Sequence, residues 1–270
     1  MSKSVLFLHG LGGSGEDWKN AVSLFEKHGW RCEAPTMFPH LRCRKSPPEA
    51  LNNLGFNDWV KAASHYANQI EEEEGDKPLV IGHCLGGLIA QKLMEYGDVQ
   101  GGIFINPIAD ETTRAQGQKH SSALGYASYL LTPQANKTPF HSIGLNWGFL
   151  NCIPSEKRSE LISNLRYESS RLRAELANLE TIAGNTAQID VHNIAHPTLT
   201  IGCGKNRVVS SKSSQITARN WLYADIAGEY VEFEDLGHWI FESAQASNLY
   251  SHILDWSKNH IKQPVFSHAA

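Results

Sequence analysis

The chain has 270 residues, 41% hydrophobic and 19% charged, with 22 Gly and 11 Pro. That length and composition suit one large α/β domain and exclude a disordered or collagen-like chain. A formal net charge of -4 at pH 7 argues against a nucleic-acid partner, because such binders need a basic face to release counterions.

From the N-terminus, Met1-Ser-Lys-Ser4 runs directly into Val5 to Leu8, an apolar stretch too short for the core of a signal peptide. No apolar run approaches the roughly 20 residues that span a bilayer. A cytoplasmic protein without a membrane span is therefore expected. Short apolar runs ending at turn residues then recur, and each reads as a strand: Ser4 to Leu8, Arg31 to Ala34, Pro78 to Ile81, Gly102 to Ile105, Thr198 to Ile201 and Glu229 to Phe233. Segments of helical length and mixed polarity lie between them, at about 16 to 28, 57 to 73, 85 to 97 and 212 to 224, with a last one at about 241 to 260. This βαβα alternation predicts a mainly parallel six-stranded sheet covered by helices on both faces.

About 90 residues separate the strand ending at Ile105 from the one starting at Thr198, so an insertion is expected there. Pro154-Ser155-Glu156 is a helix start, and Leu161, Leu165, Leu172, Leu176 and Leu179 recur at spacings that share one helical face. The reading is an α/β core over 1–108 and 193–270 with a mostly helical cap over 109–192. Thr112 to Gly148, rich in Ser, Thr, Gln and aromatic residues, shows no clear period.

The 5 Cys, at 32, 43, 84, 152 and 203, are odd in number, far apart and free of any CxxC spacing. Neither a disulfide framework nor a zinc ribbon follows, and at least one thiol is free. His192 and His196 are four apart, but the Glu of HExxH is absent and Pro197 follows at once, so a loop is expected and no metal. No GxGxxG or GxxxxGK[ST] occurs, and no cofactor is expected. Glu71 to Glu74 reads as the solvated end of a helix.

The strongest motif is Gly82-His83-Cys84-Leu85-Gly86-Gly87, set between a buried strand and a helix. It has the form G-x-nucleophile-x-G, in which small residues permit a tight, strained turn that leaves the central side chain exposed above the sheet. The helix N-terminus that follows would stabilise a thiolate at Cys84.

From this motif outwards the chain resembles the α/β-hydrolase family over nearly its whole length. His9-Gly10-Leu11-Gly12-Gly13 looks like the family's oxyanion loop, residues 82–87 like its nucleophile elbow, Gly202 to Val209 like its acid-bearing turn, and Gly237-His238-Trp239 like its histidine loop. The cap falls where the family places insertions. The family's antiparallel strands before the HG loop have no counterpart, which implies a short core. The resemblance makes Cys84 the nucleophile, His238 the base, and the backbone N–H groups of Leu11 and Leu85 the oxyanion hole.

Two positions depart from the usual pattern: Cys84 replaces Ser, and Asn206 stands where an acid is usual. A Cys-His-Asn set is coherent, because a thiolate and an imidazolium can pair and an Asn carbonyl can hold the His tautomer. Asn206 is the preferred orienting residue and Asp110, after the strand ending at Ile105, the alternative. His9 is expected to shape the oxyanion loop and His83 to pack beside the elbow. Trp147, Phe149 and Trp239 are expected to line an acyl pocket.

The expected activity is acyl-enzyme hydrolysis of an ester or thioester carrying a hydrophobic acyl group, free or carrier-bound. Two alternatives stand beside it. One is an acyltransferase or chain-releasing thioesterase, because a thioester acyl enzyme exchanges readily with amines, thiols and alcohols. The other is a non-catalytic small-molecule receptor on the same fold.

Overall fold

A computed structural model describes residues 3–115, 144–179 and 182–261. Six strands form a single sheet: β1 (Lys3–Leu8), β2 (Trp30–Glu33), β3 (Leu79–His83), β4 (Gly101–Ile105), β5 (Thr198–Cys203) and β6 (Glu229–Phe233), in the order β2-β1-β3-β4-β5-β6. Every neighbouring pair is parallel. The central strands β3, β4 and β5 are buried along their whole length, as continuous apolar runs covered on both faces must be. The expected parallel α/β sheet is thus the observed one.

Helices α1 (Lys19–Lys27), α2 (Phe56–Glu74) and α3 (Leu85–Tyr96) occupy the first half of the chain. Between β4 and β5 lie α4 (Glu111–Ala115), α5 (Ser155–Asn164) and α6 (Ser170–Ala177); α7 (Ser211–Trp221) precedes β6 and α8 (Ala246–His260) follows it. Residues 241–245, assigned from sequence to the last helix, form turns instead. Of the aperiodic stretch from Thr112 to Gly148, residues 116–143 lie outside the described part.

The chain leaves β1 towards β2 on one side and returns to β3 on the other, so the strand order reverses at the β1/β3 pair, where Leu8 is in register with Gly82. Such a reversal opens a crevice at the carboxyl ends of the strands. The two motifs singled out from sequence, residues 9–13 and 82–87, sit directly after β1 and β3, at that crevice.

One expectation is corrected. The leucines from 161 to 179 do not share one helical face, because α5 ends at Asn164 and α6 begins at Ser170. Residues 166–168 leave the helical path to bind other backbone: the Arg166 N–H donates to the Gly12 carbonyl (2.8 Å) and the Tyr167 N–H to the Cys43 carbonyl (3.3 Å). Ser169 then restarts the helix, its hydroxyl accepting the Leu172 N–H (3.2 Å). Leu172 and Leu176 are fully buried, whereas no residue of α5 is.

Candidate active site

At the turn between β3 and α3, Cys84 has φ 56° and ψ -113°, a backbone state that an L-residue holds only when its surroundings impose it. The neighbouring glycines explain the constraint. A Cβ on Gly82 would stand 2.1 Å from the Gly86 carbonyl oxygen, and one on Gly86 would stand 2.2 Å from that of Leu8. The turn is pinned on both sides as well: the Cys84 N–H donates to the Ile105 carbonyl (3.0 Å), and the Cys84 carbonyl accepts from Ile108 (3.0 Å) and from Gly87 (3.1 Å). Cys84 is therefore the apex of a strained strand-turn-helix elbow, but its side chain is buried instead of exposed as the motif predicted.

The loop after β1 lies against that apex. A Cβ on Gly10 would come within 2.9 Å of the Cys84 Cβ and 3.2 Å of His83 Nδ1. The Gly13 N–H closes the loop onto the Gly10 carbonyl (3.2 Å), and Gly12 takes φ 73°, a value that suits glycine. Leu11 is buried inside this turn, and Leu85 is the first residue of α3. His9 shapes the loop from below: its Nδ1 donates to the Gly10 carbonyl (2.8 Å) and its Nε2 accepts the Met37 N–H (3.1 Å), which fixes the tautomer. Burial pushes the His9 imidazole well below its ordinary value, and Arg42 adds to the shift.

His238 follows β6 and is completely buried. Its ring lies 5.0 Å from that of His83 and 4.8 Å from that of Phe149, centroid to centroid. His83 Nε2 donates to the His238 carbonyl (2.9 Å), so the residue before Cys84 holds the backbone of the histidine loop. Burial lowers the His238 imidazole well below its ordinary value and the nearby His83 adds to this; burial likewise lowers His83 to about 4. Both rings are accordingly neutral near pH 7, a state that suits a general base better than a preformed imidazolium.

The two orienting candidates are both buried and both engaged in local turns. The Asn206 side-chain oxygen accepts the N–H groups of Val208 (2.8 Å) and Val209 (3.0 Å). Its turn is tied to the histidine loop by the Lys205 N–H, which donates to the Leu236 carbonyl (2.9 Å). The Asp110 carboxylate accepts from Thr112 (3.2 Å) and Thr113 (3.1 Å) at the start of α4, and burial raises its pKa.

Of the expected pocket residues, Phe149 and Trp239 are buried beside His238, their rings 5.2 Å apart, and the Trp239 N–H donates to the Phe149 carbonyl (3.2 Å). Trp147 stands apart from them. It is 41% exposed, with the Arg207 guanidinium 4.9 Å over its ring.

Sequence reasoning did not single out the charged groups that surround the loop after β1. Arg42 and Glu168 form a fully buried ion pair, with Nε to Oε2 at 3.0 Å, and Glu168 Oε1 accepts the Gly12 N–H (2.6 Å). Burial pushes the Glu168 carboxyl up, while Arg42 and the Gly12 N–H hold it down. A pocket of about 280 Å³ lies alongside, lined among others by Gly12, Asp17, Leu161, Leu165, Trp239 and Glu242. Burial raises Asp17 there to about 7, against the lowering effect of the Ser14 N–H that it accepts. Residues 126 positions apart leave no spacing signal, and a lone half-buried Asp looks like any helix-capping Asp.

Residues 5–247 match the alpha/beta hydrolase family, and the chain belongs to that family. Solved structures agree on the fold. A monoacylglycerol lipase from Paleococcus ferrophilus aligns with a TM-score of 0.66 at 18% identity, covering 95% of this chain and 94% of that one. A methylesterase from Arabidopsis aligns with a TM-score of 0.63 at 14% identity, covering 95% and 99%. A tomato methylketone synthase I, solved with 2-tridecanone, aligns with a TM-score of 0.64 at 14% identity, covering 96% and 99%. Among the described residues, no helix is long and apolar enough to cross a membrane.

Proposed function

We propose that the protein carries out acyl transfer to water through a thioester on Cys84, taking an ester or thioester with a hydrophobic acyl group. The observation that carries this reading is the strained Cys84 apex, with the Gly10 backbone against its Cβ and the neutral, buried His238 beside the preceding residue. In the reaction, Cys84 Sγ bonds to the carbonyl carbon as its proton passes to His238. The carbonyl oxygen becomes an oxyanion facing the N–H groups of Leu11 and Leu85. Collapse expels the leaving alkoxide or thiolate, which takes the proton from His238; water, deprotonated by His238, then attacks the thioester carbon, the C–Sγ bond breaks, the Cys84 sulfur takes the proton back and the free acid leaves.

Asn206 is the preferred residue to orient His238, since its turn is bonded to the histidine loop; Asp110 is the alternative. Phe149 and Trp239 would form the wall of the acyl pocket nearest the base. The names of the aligned structures include a lipase and a methylesterase, which is consistent with ester chemistry here. Water is the simplest acceptor. A thioester intermediate also transfers to amines, thiols or alcohols, so an acyltransferase or chain-releasing thioesterase shares this machinery, and a carrier-bound substrate would fit it equally.

The pairing is tested by alkylating Cys84 with iodoacetamide in wild type and in His238→Ala. Fast reaction near neutral pH that slows sharply in the variant is expected; equal rates would rule out the activated pair. A receptor reading would instead show tight ligand binding unaffected by Cys84→Ala, with turnover absent in both proteins.

A further inference from the structure

We propose that the Arg42–Glu168 pair is a positioning device for the oxyanion loop, docking residues 166–168 onto Gly12 so that the Leu11 N–H is aimed at the reacting carbonyl. The inference rests on the acyl-transfer reading above. Its basis is where the polar contacts of this pair fall. Arg42 Nε and Nη2 grip the two oxygens of Glu168, Nη2 also donates to the Gly13 carbonyl (2.9 Å), and Nη1 donates to the Met37 carbonyl (3.1 Å). Glu168 and Arg166 between them take both polar groups of Gly12: its N–H goes to Oε1 (2.6 Å) and its carbonyl accepts the Arg166 N–H (2.8 Å). The peptide that follows Leu11 is thus held from the segment between α5 and α6, while His9 holds the peptide before it.

Both charges are buried, with side-chain exposures of 0% and 1%. A buried ion pair gains little stability over an apolar pair of similar volume, because desolvation offsets the attraction. What this pair supplies that an apolar pair could not is directed hydrogen bonding to Gly12 and Gly13. The Arg42 guanidinium also stacks 4.9 Å over Trp59, which restricts its own movement.

The test separates chemistry that forms an oxyanion from chemistry that does not. Acylation of Cys84 by a butyryl thioester passes through an oxyanion, whereas alkylation by iodoacetamide forms the S–C bond and expels iodide without one. In Glu168→Leu, which removes both acceptor oxygens, we expect acylation to fall by up to roughly 100- to 1,000-fold, the range for losing one oxyanion donor, while alkylation stays within about twofold of wild type. The loss should appear in kcat rather than KM. The double variant Arg42→Met/Glu168→Leu keeps the volume without stranding a charge; with the Gly12 N–H and the Gly13 and Met37 carbonyls left without these partners its Tm should fall, yet it should keep native circular dichroism and the acylation defect, and Arg42→Lys should be intermediate. A folded double variant with the wild-type ratio of acylation to alkylation would overturn the proposal alone. A wild-type protein that forms no Cys84 adduct would overturn the acyl-transfer reading, and this proposal with it.

Discussion

The backbone of Cys84 stores strain, with φ at 56°. Residues in such sparsely populated regions cost of order 1–3 kcal/mol, which packing elsewhere must offset. Cys84→Gly should therefore be more stable than Cys84→Ala by about 1 kcal/mol in chemical denaturation, reversing the usual order of Ala over Gly. The usual order would mean that the positive φ is relaxed in solution. The buried histidines give a second residue-scale expectation. With His238 held well below its ordinary 6.5, acylation should be flat from neutral pH upwards and fall only below that value; an acid limb centred above 6.5 would contradict a neutral base. Asp17 works in the opposite sense. Burial raises it from 3.8 to about 7, so the folded state keeps a proton that the unfolded chain releases. Its contribution to stability is zero below 3.8 and increasingly unfavourable as pH rises to 7, reaching about 4 kcal/mol above that. Asp17→Asn, whose amide oxygen can still accept the Ser14 N–H, should raise Tm at pH 8 and much less at pH 4; an equal shift at both would show that the Asp17 proton is not the cause. The turns that carry Cys84 and His238 were legible because each has a short motif whose spacing reports a specific backbone path. Arg42, Glu168 and Asp17 were not, because their meaning lies in contacts between distant segments.

At the scale of elements, the elbow is a packing problem as much as a chemical one. Because a Cβ on Gly86 would meet the Leu8 carbonyl at 2.2 Å, Gly86→Ala must push α3 away from β1. Backbone atoms cannot yield as a flexible side chain can, so a loss above about 3 kcal/mol, seen as little folded protein in expression or circular dichroism, is expected. Normal folding of that variant would show that the close approach is wrong. The strands and the helices flanking them followed from apolar runs and turn residues, since a buried parallel strand has to be apolar throughout. The break between α5 and α6 did not. Leucine spacing reports which residues seek burial, but the hydrogen bonds that draw residues 166–168 out of the helix go to Gly12 and Cys43, far away in the chain.

For the molecule as a whole, the sheet order explains why the site is where it is. Its reversal between β1 and β3 brings the loop after β1 and the Cys84 turn side by side, and Asp110, Asn206 and His238 follow the carboxyl ends of β4, β5 and β6. This arrangement defines an alpha/beta hydrolase, and the order of motifs along the chain already implied it. The surroundings of His238 were less legible, because Phe149 and residues 166–168 reach the site through contacts with distant residues and not through periodicity. The most direct test of the acyl-enzyme account is intact-protein mass spectrometry after brief exposure to a panel of acyl thioesters and activated esters, with Cys84→Ala as control. The account predicts a mass increase equal to the acyl group in wild type alone, decaying in water. No adduct and no turnover across the panel, or the same adduct in Cys84→Ala, would contradict it.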